Sequence, residues 1–229
     1  MKHTFGNVIV LGLGGSIIFQ NEINVPLLKE WKTLVDTYAK THKVIIVMGG
    51  GKLARWYQEA AHAVRPISTK EGDWLGIYAT RANAKLIQTV FGKIADPVLF
   101  DAPSKIKKLT SPVTVACGWE PGWSTDFICM SLAKQFGAKE VVMAGKPAFV
   151  YDKNPDQFID ARPFKEMKWS EYWKIIPHKW TPGANTPVDP VAAKFGKANK
   201  ITAIVADGKN MRNLEALLSG EEFDGTVIA

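Results

Sequence analysis

Three glycine-rich turns hold the residues best suited to chemistry: Gly14-Gly15-Ser16, Gly49-Gly50-Gly51, and Gly118-Trp119-Glu120-Pro121-Gly122. Each follows a short apolar, β-branched run that reads as a buried strand, over 7–13, 44–48 and 113–116. In open α/β sheets, ligands bind beyond the carboxyl ends of the strands. Glycine lets the backbone approach an anion, and its N–H groups with the N-terminus of a following helix supply positive potential. Three such turns at one sheet edge point to a phosphate or nucleotide site. None is a Gly-x4-Gly-Lys-Ser/Thr loop, and Gly12-Leu13-Gly14-Gly15 lacks the third glycine of the dinucleotide fingerprint.

Charged and aromatic residues flank these turns. Arg55 falls in the first turn of a helix after the second loop, as a phosphate ligand or a surface charge. Asp126 opens the helix after the third, where an acid also suits the helix dipole. Trp119 and Trp123 could stack on a base, pack a subunit interface or narrow the pocket. Trp169, Trp173 and Trp180 are expected to pack a core or an interface. His3, His42, His62 and His178 are isolated, and Cys117 and Cys129 have neither disulfide nor metal-ligand spacing. No protein metal site is expected. Cys117, beside the third loop, reads as a small buried residue.

The elements that must position these groups alternate in type. Helices are expected over 25–41, 52–64, 73–92, 126–136, 169–175, 190–195 and 211–218. Further strands are expected over 97–100, 141–144, 201–205 and 225–228, and 145–190 reads as mostly irregular. This pattern argues for a parallel sheet covered on both faces. The 229 residues, 46% of them hydrophobic, can bury a sizeable core, which excludes disorder as the main state. No apolar run is long enough for a membrane helix, and no signal-peptide pattern is expected. A reducing, cytoplasmic setting follows. The 29 basic residues exceed the 22 acidic ones, but they are scattered and the densest run, Lys105, Lys107 and Lys108, is short. A small phosphorylated ligand accounts for the charge better than nucleic acid does.

Several motifs carry a family resemblance. Gly14-Gly15-Ser16, Gly49 to Arg55 and Thr80-Arg81-Ala82-Asn83-Ala84 resemble the amino-acid kinase superfamily. Pro121-Gly122-Trp123-Ser124-Thr125-Asp126, Val188 to Lys194 and Gly225-Thr226-Val227-Ile228 resemble its archaeal-type UMP kinase branch. The likeness runs in order along nearly the whole chain. It implies a three-layer α/β/α sandwich with a mostly parallel sheet in a single domain. An acceptor lobe would span about 1–137 and a donor-nucleotide lobe about 138–229.

The resemblance also implies transfer of the γ-phosphoryl of ATP to UMP, with Mg2+. Gly14, Gly15 and Ser16 would cradle the ATP phosphates, with Gly51, Arg55, Tyr151 and Asn154 also on the donor side. Gly50, Asp73, Gly118, Trp119, Glu120, Pro121, Gly122, Trp123, Ser124 and Thr125 would bind the acceptor. Lys194 would be a catalytic cation, and Asp126 would orient two catalytic lysines. The assembly implied is a homo-oligomer, with hexamers among those that the family forms.

Three departures stand out. Gly12 occupies the place of the family's first-strand lysine, which Lys52 could replace from the neighbouring loop. Ala144 to Tyr151 replaces the family's Thr-Asn-Val-Asp-Gly-Val-Tyr. Trp119 and Trp123 replace small or polar residues. These changes keep two alternatives open: a kinase of another small acceptor, and a nucleotide- or oxyanion-binding storage protein like those that hold molybdenum or tungsten.

Overall fold

The computed structural model describes residues 3–179 and 186–229, so Trp180 lies outside the described residues. The core is a seven-stranded sheet. Its strands are β1 (Val8–Leu13), β2 (Lys43–Met48), β3 (Val113–Ala116), β4 (Glu140–Gly145), β7 (Glu166–Met167), β8 (Thr202–Asp207) and β9 (Thr226–Ile228). They are ordered β3-β2-β1-β4-β8-β9-β7, and a short antiparallel pair, β5 (Val150–Tyr151) and β6 (Pro163–Phe164), lies apart. Every pairing in the large sheet is parallel except that of β8 with β9.

Among the described residues eight α-helices connect the strands: α1 (Gly15–Ile18), α2 (Val25–Tyr38), α3 (Gly51–Val64), α4 (Thr69–Phe91), α5 (Thr125–Phe136), α6 (Trp169–Ile175), α7 (Pro190–Asn199) and α8 (Met211–Leu218). Strand side chains alternate between two apolar layers. Ile9, Leu11, Leu13, Val44, Ile46 and Met48 join the layer under α2, α4 and α8. Val10, Ile45 and Val47 join the layer under α5, α6 and α7. Burial on both faces is why these strands are apolar throughout rather than alternating. The expected α/β/α sandwich is therefore the observed one.

Two local differences have clear causes. Residues 97–100 form no strand: Pro97 has no N–H, the Val98 N–H bonds Asp96 Oδ1 at 2.9 Å, and only Phe100 bridges to Ala116. The expected turn at Gly14-Gly15-Ser16 instead winds into α1, with the Ile17 N–H bonded to Gly14 O at 2.9 Å. Elsewhere the ends are sharply specified. Ser68 and Glu71 make a reciprocal capping box that starts α4 four residues before the apolar periodicity does.

β1 lies between β2 and β4, and the chain runs outward from it in both directions. The carboxyl ends of β1, β2, β3 and β4 therefore open onto one crevice, the usual ligand position in such sheets.

Candidate functional site

A cavity of about 460 Å³ occupies that crevice. Its floor is two glycine loops in backbone contact. A Cβ on Gly15 would fall 2.3 Å from Gly49 O, and one on Gly51, at φ +60°, would fall 2.3 Å from Ser16 N. Only glycine permits this approach. Gly14, Gly15, Ser16, Gly50 and Gly51 all line the cavity. Arg55, one turn into α3, joins them and donates from Nη2 to Ser16 Oγ at 3.2 Å.

The third loop is held by α4. Thr80 Oγ1 accepts the Gly118 N–H at 2.8 Å and donates to Ile77 O at 2.7 Å. The Arg81 guanidinium donates to Trp119 O at 3.2 Å and to Asp101 O at 3.3 Å. Asn83 donates to Gly49 O at 2.9 Å, so one helix clamps both the second and third loops. Asp73, on the same helix, accepts the Gly122 N–H at 3.0 Å. Partial burial raises its carboxyl above the usual range, and that hydrogen bond opposes the rise. The loop presents Gly118, Glu120, Gly122, Trp123, Ser124 and Thr125 to the cavity.

Asp126 also reaches the cavity, in company that the sequence did not suggest. Its Oδ2 accepts the Asp189 N–H at 3.1 Å. Asp189 caps α7 by accepting the Val191 N–H at 2.7 Å and the Ala192 N–H at 3.1 Å, and it accepts the Ser124 hydroxyl. Desolvation first, and then the charge of Asp189, push the Asp126 carboxyl up to about 7. Desolvation likewise raises Asp189, against its three hydrogen bonds. Among the described residues no lysine pairs with Asp126, so the expected role of orienting two lysines has no counterpart in this geometry.

The reason lies at position 12 and at the two candidate lysines. A Cβ at Gly12 would lie 2.9 Å from Cys129 Sγ and 3.2 Å from Met143 Sδ, so two sulfurs fill the place of a side chain. Lys52 turns to Asn21 Oδ1 and lies over the Trp56 ring, away from the cavity. Lys194 is exposed on α7, with its ammonium 4.8 Å from the Trp173 ring centroid, and does not line the cavity. Trp173 in turn stacks on His178 at 4.5 Å.

Four further expected site residues lie outside the cavity lining. Trp119 is buried beneath the third loop, stacked on Phe100 at 5.5 Å, with Nε1 donating to Phe100 O at 2.9 Å. Its indole is therefore core rather than a stacking surface for a ligand, and of the two tryptophans Trp123 alone lines the cavity. Pro121 is absent from the lining. Tyr151 sits on β5 against Phe149, and the exposed Asn154 side chain accepts the Asp156 N–H at 3.0 Å in a local turn. Cys117 is buried, and desolvation pushes its thiol up to about 12, which makes it inert.

Sequence reasoning missed Lys146, Asp189 and Thr186. The Thr186 hydroxyl is buried at the cavity wall without a partner among the described residues. Asp189 carried a signal, since Asp before Pro190 is an N-cap followed by a proline at the first helical position. Among the described residues no three His, Cys, Asp or Glu side chains form a metal-ion cluster. Asp126, Asp189 and Thr186 line the cavity with oxygen groups, the donor type that suits a hard cation arriving with phosphates and keeping most of its waters.

Glycine loops, a helix N-terminus and an arginine at the switch point of a parallel sheet define a class of α/β phosphate-binding proteins. Within it, the chain belongs to the amino acid kinase family, whose model matches residues 7–207. It is 34% identical over 217 residues to the uridylate kinase of Methanosarcina mazei, covering 93% of this chain and 92% of that one. It is 31% identical over 229 residues to the uridylate kinase of Methanobrevibacter smithii, covering 96% and 99%. The crystal structure of uridylate kinase from Archaeoglobus fulgidus superposes with a TM-score of 0.82 at 30% identity, over 98% of this chain and all of that one.

Proposed function

We propose that this protein is a phosphotransferase of the UMP kinase type, making UDP and ADP from UMP and ATP. The observation that carries the reading is the convergence of the β1, β2 and β3 loops, with Arg55, on one cavity. In the reaction a phosphate oxygen of UMP attacks the γ-phosphorus of ATP. The new P–O bond forms as the bond from the γ-phosphorus to its bridging oxygen breaks, and ADP leaves with that electron pair. The attacking phosphate is already anionic, so the protein's task is to position the two nucleotides and stabilise charge.

Gly14, Gly15, Ser16 and Gly51 would hold the donor phosphates. Arg55, anchored on Ser16, would lie where donor and acceptor meet. Asp73 and the 118–125 loop would hold the acceptor, with Trp123 as its flat wall. Asp126, Asp189 and Thr186 would face a magnesium ion brought by ATP, which when bound neutralises phosphate charge. The first lobe, about 1–137, would serve the acceptor and the second, about 138–229, the donor.

Among the described residues no helix is long and apolar enough to cross a membrane. Exposed Trp56, Tyr57 and Val64 on α3 and Tyr78 on α4 support a homo-oligomer, of the hexameric kind or smaller. One observation favours a second reading, nucleotide or oxyanion binding without transfer: position 12 has no cation, and Lys194 lies over Trp173.

Purified protein with ATP, magnesium and UMP should yield UDP in a chromatographic assay. ATP and UMP binding without UDP would overturn the kinase reading in favour of the second one. UDP absent but another phosphorylated acceptor formed would redirect it to a different substrate.

A further inference from the structure

The cavity is short of positive charge for a nucleotide site. Asp73, Glu120, Asp126 and Asp189 line it, against two cations, Arg55 and Lys146. The positions from which the resemblance draws cations do not supply them. Gly12 has no side chain and is crowded by sulfur, Lys52 turns to Asn21, and Lys194 lies over Trp173. A triphosphate entering such a site meets carboxylates unless a cation stands on the donor side.

Lys146 stands there. The β1 and β4 loops lie backbone to backbone. Gly14 N–H bonds Ala144 O at 3.0 Å, and a Cβ on Gly14 would come within 3.5 Å of Gly145 Cα. Gly145 O accepts the Gly208 N–H at 3.1 Å, which fixes the end of β4. The next residue along is Lys146, and it lines the cavity beside the Gly14-Gly15-Ser16 turn. Among the described residues no carboxylate forms an ion pair with its ammonium. Arg55 is tied to Ser16 from α3, so the two cations approach the crevice from different elements.

We propose that Lys146 is the donor-side phosphate ligand, binding the terminal phosphates of ATP from the β4 loop in place of the cation missing at position 12. The positive charge has moved from the central strand to its neighbour. The inference rests on the nucleotide reading of the cavity, and its test separates binding from turnover.

Isothermal titration of ATP and, separately, of UMP would be run on the wild type, Lys146→Met and Lys146→Arg, with thermal midpoints alongside. A charge-assisted hydrogen bond is worth about 1.5–3 kcal/mol, or roughly a 10- to 150-fold change in affinity. Lys146→Met should weaken ATP by roughly that factor and leave UMP within about twofold. Lys146→Arg should retain most of the ATP affinity. Unchanged ATP affinity in Lys146→Met overturns the inference. So does an equal loss for both nucleotides with a lowered thermal midpoint, which would mark a structural residue. A wild type that binds ATP but makes no UDP sinks the kinase reading and leaves the Lys146 assignment to be decided by the titrations. A wild type that binds no ATP overturns both.

Discussion

The backbone N–H of Asp189 donates to the carboxylate of Asp126 at 3.1 Å, joining the N-terminus of α7 to that of α5 at the wall of the cavity. A buried carboxyl, Asp189, and a half-buried one, Asp126, meet there with hydroxyl and amide donors and without a counter-ion among the described residues. One consequence is a pH dependence of opposite sign to that of a carboxylate held in an ion pair.

Burial and Asp189 raise the Asp126 carboxyl to about 7 in the folded protein, against about 3.9 for an unperturbed aspartate. The native state therefore holds the proton more tightly than the unfolded chain. The stabilisation is complete below the unfolded value and is lost as pH rises through the folded one. The wild-type thermal midpoint should fall more steeply between pH 4 and 8 than that of Asp126→Asn. Equal slopes would show that Asp126 takes up no proton on folding.

Trp119 and Trp123 should separate cleanly in mutagenesis. Trp119 is buried and bonded to Phe100 O, so Trp119→Ala should cost about 3–5 kcal/mol of stability in denaturant unfolding. Trp123 packs on Phe127 at 5.1 Å and faces the cavity, so Trp123→Ala should chiefly weaken acceptor binding. A titration showing unaltered acceptor affinity would remove Trp123 from the site.

Thr80 donates to one carbonyl and accepts one amide at the third loop. Thr80→Val keeps the shape and leaves the Gly118 N–H without its partner, at a cost of about 1–3 kcal/mol. The expected kinetic signature is a raised KM for the acceptor with the donor KM little changed. Parallel changes in both would mean that Thr80 supports the whole fold rather than that loop.

Gly15→Ala and Gly51→Ala should each abolish ATP binding, because the added methyl meets backbone 2.3 Å away on the opposing loop. Gly6→Ala is the control, since nothing lies within 4 Å of its Cβ position. Calorimetry on a folded Gly15→Ala protein with wild-type ATP affinity would refute the loop assignment.

The parts of the site legible in the sequence were those whose requirement is local. A glycine loop after an apolar run satisfies a rule confined to a few residues, whereas Ser68 three residues before Glu71 and Asp189 before Pro190 carry equally local signals that the sequence expectations did not use. Trp119 and Trp123 lie in an irregular loop with no period to tell inside from outside. Only the positions of Phe100 and Phe127 decide which indole is core. The surroundings of Gly12 come from Cys129 on α5 and Met143 on β4, more than a hundred residues away along the chain. Lys146 carried no signal at all, since its meaning depends on β4 lying beside β1.

The sulfur-filled gap beside Gly12 also constrains the routes by which this sequence can change. Cys129 is fully buried and Met143 nearly so, which leaves neither much room to withdraw. A longer residue installed at 12 as a single step meets both sulfurs at once, whereas trimming position 129 first opens the space. The effect of a mutation at 12 therefore depends on what already stands at 129 and 143.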